Sequence, residues 1–370
     1  MNFHKNRLGN LGATIISRLI VGSQYTSTKK NKRVMRVAIV RAEQPTADKF
    51  KKGIDLVGGF PHAEKYIIKP NLCLIRSPPV TTRLDVVKHI IECIKDVNPR
   101  ANITIVESDA TALNATSAFR ELGFTKLEEM FNGVHIVNLS KDHAVKAVID
   151  GRVIRTLTMP STFLDYDILI NVATLKTHVL FRASLGMKNL FGLIPQKKKI
   201  VLHPFLDDIL VDLAQFYNPY LTIIDGSCGM EGRGPTDGIA RKGGAIIVGN
   251  NVVATDIIAA KCMGFKPKDI PYLKLAMNMF SIKEKDIILV GDAKLLQNSR
   301  PFKSINKTNY KLIRTGLLLS RLGSRITRFG EFLTLAGDAL SFVDKGTLRR
   351  KLPIRDLIPL ATNMLTKIDV

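Results

Sequence analysis

Tyr66-Ile-Ile68-Lys-Pro-Asn71 and Ile103-Thr-Ile-Val106-Glu-Ser-Asp109 bracket a segment in which Val87, Ile90, Ile91 and Ile94 recur at i, i+3, i+4 and i+7. The two flanking pieces are short apolar runs, the pattern of strands covered on both faces. The spacing between them places the apolar residues on one side of a helix. Strand, helix, strand is the unit of a parallel sheet, and the pattern extends in both directions from here. Val37–Val40, Val134–Val137, Ile168–Ile170, Leu221–Ile224, Ala245–Val248 and Ile287–Val290 are further candidate strands. Ser117–Leu122 before Gly123, Leu206–Phe216, and Val252–Met263 before Gly264 are candidate helices with glycine stops. The expected fold class is α/β: a mostly parallel sheet with flanking helices, in one body or in two lobes with the site between them.

Polar groups able to do chemistry collect where these strands end. Lys69-Pro70-Asn71 follows Ile68, Glu107-Ser108-Asp109 follows Val106, and Asn171 follows Ile170, with Lys176 and His178 beyond it. Asp225-Gly226 follows Ile224. In open parallel sheets, ligands bind outside the carboxyl ends of the strands. Any strand must exit into a polar loop, but that alone does not call for lysine, histidine and acid to recur there.

Three stretches carry the candidate site. In the first, proline fixes the turn, Lys69 points a charge out of a strand end, and Asn71 faces the ligand or merely caps the turn. The second runs from Asp167 through Lys176-Thr-His178 and Gly186-Met-Lys188-Asn189 to Lys197, Lys198, Lys199 and His203. Lysines hold phosphate or carboxylate groups. Neutral histidine binds metal or moves protons near pH 7. The third, Asp225-Gly-Ser-Cys-Gly-Met-Glu231-Gly-Arg-Gly-Pro-Thr-Asp-Gly238, has five glycines in fourteen residues. Backbone N–H groups around Gly226, Gly232 and Gly234 are candidates to cradle phosphate. Alternatively Asp225 and Glu231, with His203, hold a metal ion, or the stretch is a long flexible loop. Asp256 either faces the same site or pairs with Lys261.

Composition excludes several classes. No run of apolar residues is long enough for a spanning helix. Tryptophan is absent and aromatics are 6% of the chain, which disfavours a protein that stacks single-stranded bases on aromatic platforms. Cys73, Cys93, Cys228 and Cys262 include no C-x-x-C pair, so zinc-ribbon, thioredoxin and ferredoxin-type readings fall. Scattered cysteines fit a reducing, cytoplasmic compartment. The net charge of +23 is uneven. Residues 1–36 and 300–328 each hold eight Lys/Arg and no acid. The expected organisation is a basic tail or targeting segment at 1–34, an α/β body at 35–295, and a basic, largely helical extension at 296–370. In that extension Leu312, Ile313, Leu317, Leu318, Leu319 and Ile326 alternate with Arg314, Arg321, Arg325 and Arg328, as in an amphipathic helix lying on an anionic membrane or packed on the body.

Taken together, Lys69-Pro-Asn, Asp167…Lys176-Thr-His178, Lys188-Asn-x-Phe-Gly192, Lys199…His203 and Asp225-Gly…Gly232-x-Gly-Pro-x-x-Gly238 resemble the domain-of-unknown-function family DUF362, over about residues 36–275. The family name implies no general reaction. Some members carry a ferredoxin-like module, whose cysteine run is missing here, so no iron–sulfur cluster is expected. The stretch from Asp167 to His203 also looks like its counterpart in nickel-pincer lactate racemases. That likeness implies proton or hydride chemistry at His178, a pyridinium nucleotide cofactor on Lys188, and nickel ligation by His203. It departs from that pattern where Glu107-Ser-Asp109-Ala-Thr111 replaces a Gly-Thr-His-Arg motif.

Three functions follow as expectations. The first is an enzyme that binds an anionic small molecule or nucleotide-like cofactor, with His178, Lys176 and Lys69 as catalytic residues and Lys188, Asn189 and Asn71 among the binding residues. The second is a non-catalytic ligand or cofactor carrier using the same groups. The third is an adaptor whose basic ends meet an anionic membrane surface or nucleic acid, peripheral rather than spanning.

Overall fold

The computed structural model describes residues 34–296 and 301–326, with backbone alone at 307 and 322–326. The basic tail expected at 1–34 therefore lies, apart from Val34, outside the described residues, as does the extension beyond Ile326. The strands are β1 (Met35–Arg41), β2 (Lys65–Lys69), β3 (Asn102–Glu107), β4 (Val134–Asn138), β5 (Ala144–Val148), β6 (Thr156–Pro160), β7 (Ile168–His178), β8 (Arg182–Ser184), β9 (Leu221–Arg233), β10 (Asp237–Gly249) and β11 (Ile287–Gly291). The helices are α1 (Ala47–Leu56), α2 (Leu84–Val97), α3 (Ala115–Glu121), α4 (Lys126–Met130), α5 (Gly186–Asn189), α6 (Leu206–Tyr217), α7 (Val252–Cys262), α8 (Pro271–Met279) and α9 (Lys307–Ile326).

The chain divides into two units. One comprises the chain up to Lys197 together with Asp207–Ser304; the other comprises Lys198–Leu206 and the chain from Ile305. The first unit is a mixed α/β body built on one sheet in the order β11-β1-β10-β9-β7-β2-β3-β4, with β8 paired to β7. From β9 to β4 every neighbour is parallel, and β11 is parallel to β1. The β1–β10, β10–β9 and β7–β8 pairs are antiparallel. On one sheet face, alternate residues such as Tyr66, Ile68, Ile103, Ile105, Ile170, Val172 and Ile223 form a core with α1 and α2. Val87, Ile90, Ile91 and Ile94 are all buried there, as their spacing requires. Elsewhere α7 is buried at almost every position, so it carries apolar residues all round instead of a stripe. In the second unit, α9 packs on a 3-10 segment at Lys199–Phe205, with the Arg321 guanidinium 5.4 Å from the centre of the Phe205 ring.

Two expectations are corrected. The glycine-rich stretch is not a loop: β9 runs on to Arg233 and β10 begins at Asp237, so its glycines sit in an antiparallel hairpin. Strand β7 does not stop at Ile170. It continues to His178 through pairing with β8 and β9, which satisfies its backbone and carries Thr174 and Lys176 as buried strand residues.

Candidate functional site

The first layer of the site is a closed ion pair. β2 and β3 are parallel neighbours that end in Lys69 and Glu107. The Lys69 ammonium donates to Glu107 Oε2 at 2.7 Å and to the Pro70 carbonyl at 2.6 Å. Glu107 also accepts the backbone N–H groups of Leu72, at 3.0 Å, and of Ser108, at 2.9 Å. Both side chains are buried, so each charge depends on the other. Gly192 closes the pair from above: a β-carbon there would stand 2.7 Å from Glu107 Oε1 and from Lys69 Nζ.

Asparagines extend the network sideways. Asn189 Nδ2 donates to Asn171 Oδ1 at 2.8 Å, and its Oδ1 accepts from Asn71 Nδ2 at 3.1 Å. Asn71 Oδ1 in turn accepts from the Lys176 ammonium at 2.5 Å. Lys176 also donates to the Val80 carbonyl at 2.9 Å and lies 3.6 Å from Cys73 Sγ. It has no carboxylate partner among the described residues. Burial pushes its pKa below the ordinary lysine value, against the pull of Cys73. Lys188, on α5, makes no hydrogen bond or ion pair to a described residue, and its ammonium stands 4.8 Å from the centre of the Phe191 ring. Burial lowers its pKa to about 8; Cys73 opposes the shift and Lys176 adds to it.

The turn that carries Lys188 and Asn189 is held from below. Asp256, four residues into α7, accepts the N–H groups of Gly186 at 2.8 Å and Met187 at 2.9 Å. It does not pair with Lys261, which pairs with Glu284 instead. Burial raises the Asp256 pKa to about 7, and the two backbone donors pull it the other way. A side chain at Gly186 would collide with Thr222 Cγ2 at 2.6 Å and with Asp256 Oδ1 at 2.8 Å.

His178 is the last residue of β7 and leaves the same strand face as Lys176, two residues back, about 7 Å along the strand. Its Nδ1 accepts the Leu180 N–H at 3.1 Å, so the neutral ring carries its proton on Nε2. The structure brings Lys69, Asn71, Lys176, Lys188 and Asn189 together in one cluster, with His178 on the adjoining strand end.

The remaining candidates take other roles. Asp225 is buried, accepts from the N–H and hydroxyl of Ser227, and has its pKa raised by burial. Glu231 pairs with Arg241 at 3.0 Å and accepts the Lys303 N–H, and these contacts hold its pKa down. His203 belongs to the second unit, where its Nδ1 meets the Ile200 carbonyl at 2.8 Å. Among the described residues no three His, Cys, Asp or Glu side chains form a group able to hold a metal ion. The expected set of His203, Asp225 and Glu231 is not assembled as one, and no step through nickel or another metal is derived. The glycines serve the sheet. A β-carbon at Gly234 would stand 2.0 Å from the Thr177 carbonyl, and one at Gly226 2.8 Å from the Ala245 carbonyl. The Gly234 and Gly232 carbonyls accept from Val179 N–H and Thr177 Oγ1. Gly232 has φ +88°, which suits glycine. Glu107, Cys73 and Gly192 also belong to this cluster, without having been assigned a site role from the sequence. Glu107 was visible as an acid ending one strand while Lys69 ended another.

The body is a mixed sheet with a lysine cluster at its strand ends. The family is more specific. DUF362, described as a domain of unknown function, matches residues 67–261, more than half of the chain, and the chain belongs to that family. A thylakoid-associated protein of Synechocystis is 25% identical over 218 residues, which are 56% of this chain and 65% of that protein. The chain thus spans just under two thirds of that relative's length. Among solved structures, the lactate racemase apoprotein from Thermoanaerobacterium thermosaccharolyticum is similar with a TM-score of 0.39 and 13% identity, over 54% of this chain and 51% of that one.

Proposed function

We propose that this protein binds an anionic small molecule at the carboxyl ends of β2, β3 and β7, with Lys176 and Lys188 meeting the anion. One observation carries this reading. Lys69 is neutralised by Glu107, whereas Lys176 and Lys188 stand beside it with no carboxylate partner among the described residues. An ammonium buried without a counter-charge costs several kcal/mol or gives up its proton. A phosphate or carboxylate from solution restores the balance, and the asparagine chain holds the cluster in position for it.

Binding then has a proton signature. Lys188 is half neutral near pH 8 when the site is empty, and an anion draws a proton onto it. Calorimetric titrations with orthophosphate, pyrophosphate, a nucleoside monophosphate and small 2-hydroxy and 2-oxo carboxylates, in two buffers of different ionisation enthalpy, measure that uptake. Proton uptake near pH 8, and an affinity loss of about tenfold or more in Lys176→Met and Lys188→Met, are the expected results. Affinity for none of these anions, or affinity indifferent to both substitutions, overturns the proposal. His178 supplies the acid–base group next to the anion. A catalyst and a carrier built on this cluster differ in turnover alone, so His178→Gln abolishes turnover while leaving anion binding in place.

A further inference from the structure

Helix α9 presents a surface with a composition of its own. With about 3.6 residues per turn, Thr308, Leu312, Thr315 and Leu319 stack on successive turns, and all four are exposed. Leu318 and Lys311 border this stripe on one side and are exposed too. Leu312 is 55%, Leu318 54% and Leu319 50% exposed. The opposite side of the helix is the covered one, with Leu317 and Ser320 buried. The helix therefore has apolar residues on both sides, and burying one side leaves three leucines facing out. A soluble surface seldom groups them this way.

Charge selects the occupant. Residues 300–328 contain eight Lys/Arg and no acid. Lys311 borders the leucine stripe, and Arg314 follows three residues later, partly exposed. Leucines beside cations, with no acidic side chain to repel a negative surface, match the boundary between headgroups and acyl chains of an anionic bilayer. A nucleic acid would use the cations and leave the leucines in water. A second copy would bring the same positive charge against itself. No described helix is long and apolar enough to cross a membrane, so the contact is made from the surface.

We propose that α9 lies on an anionic lipid surface, with Leu312, Leu318 and Leu319 inserted below the headgroups and Lys311 and Arg314 pairing with them. The test is co-sedimentation of the full chain with vesicles of phosphatidylcholine, and of equal parts phosphatidylcholine and phosphatidylserine. Two variants accompany it: Leu312→Ser/Leu318→Ser/Leu319→Ser, and Lys311→Gln/Arg314→Gln. The substituted leucines are at least half exposed, and circular dichroism with a thermal midpoint verifies that both variants fold. The wild type is expected to bind the mixed vesicles and not the neutral ones. The leucine variant is expected to lose about tenfold or more in partitioning, and the cation variant to bind the mixed vesicles more weakly and with a shallower dependence on salt. Unchanged binding in the leucine variant means plain electrostatic adhesion and overturns the proposal. So does a lack of binding to mixed vesicles, preferential binding of duplex nucleic acid, or a solution dimer that the leucine substitutions dissociate.

Discussion

Replacing Glu107 by glutamine keeps the shape of the side chain and removes its charge. In the native structure its carboxylate holds the Lys69 ammonium at 2.7 Å and two backbone N–H groups, with both partners of the ion pair almost fully inaccessible to water. Breaking a buried pair from one side strands the other charge, which costs about 3–5 kcal/mol. Part of the glutamine amide also faces donors where the carboxylate had only accepted, which adds to the loss. For a body of this size, a thermal midpoint falls by roughly 2–4 °C per kcal/mol, so the expected drop is about 6–20 °C. The informative comparison is the double variant Glu107→Gln/Lys69→Met, because removing the stranded charge is expected to recover at least half of the loss. Urea unfolding of the wild type, both single variants and the double variant closes the cycle. A loss below about 1 kcal/mol for Glu107→Gln, or a double variant no more stable than the single, would refute the view of Lys69 and Glu107 as a self-contained pair.

Two further outcomes are expected. Asp256 has a folded pKa of about 7 against an ordinary value of 3.8, so between those limits the folded state holds a proton that the unfolded state has lost, and stability falls as pH rises through the window. Asp256→Asn is free of this dependence; relative to the wild type it should gain about 3 kcal/mol between pH 4 and pH 7 by urea unfolding, and parallel pH profiles would contradict the assignment. Lys188, lowered to about 8, is expected to be acylated ahead of the surface lysines by limiting acetic anhydride at pH 8, with protection by a bound anion. Peptide mapping by mass spectrometry reads this directly, and labelling that reaches Lys188 only after the exposed lysines would contradict it.

Much of the sheet was legible because its strands are continuous apolar runs: Val37–Val40, Ile103–Val106 and Ala245–Val248 all fall inside observed strands. Gly123 and Gly264 end their helices at positive φ, as expected of glycine stops. What stayed hidden was any strand whose residues look wrong for one. Lys176 and Thr174 are polar, yet β7 buries them through partners that only the fold brings near. The glycines of β9 resembled loop residues, whereas their lack of a β-carbon lets neighbouring backbones approach. In the β5–β6 hairpin Lys146, Thr156 and Thr158 interrupt the apolar residues, so no continuous run announces it. Within the cluster, Lys69 and Lys176 drew notice from their place after apolar runs, and Lys188 from the glycine-containing stretch at Gly186–Asn189. Glu107 was passed over because its role depends on β2 and β3 being neighbours, which the spacing of residues along the chain does not state.

The position of β1 in the sheet bears on how the protein is made. Its neighbours on either side are β10 and β11, the last two strands of the body. On a ribosome adding about 5–20 residues per second, roughly 200 residues separate its synthesis from that of β10, an interval of about 10–40 s. Throughout that time Val37-Ala-Ile-Val40, wholly inaccessible to water in the finished body, has neither edge paired. The emerging chain therefore carries an adhesive segment until almost the whole body has been synthesised, and a nascent-chain chaperone that shields short apolar strands would have its natural target there.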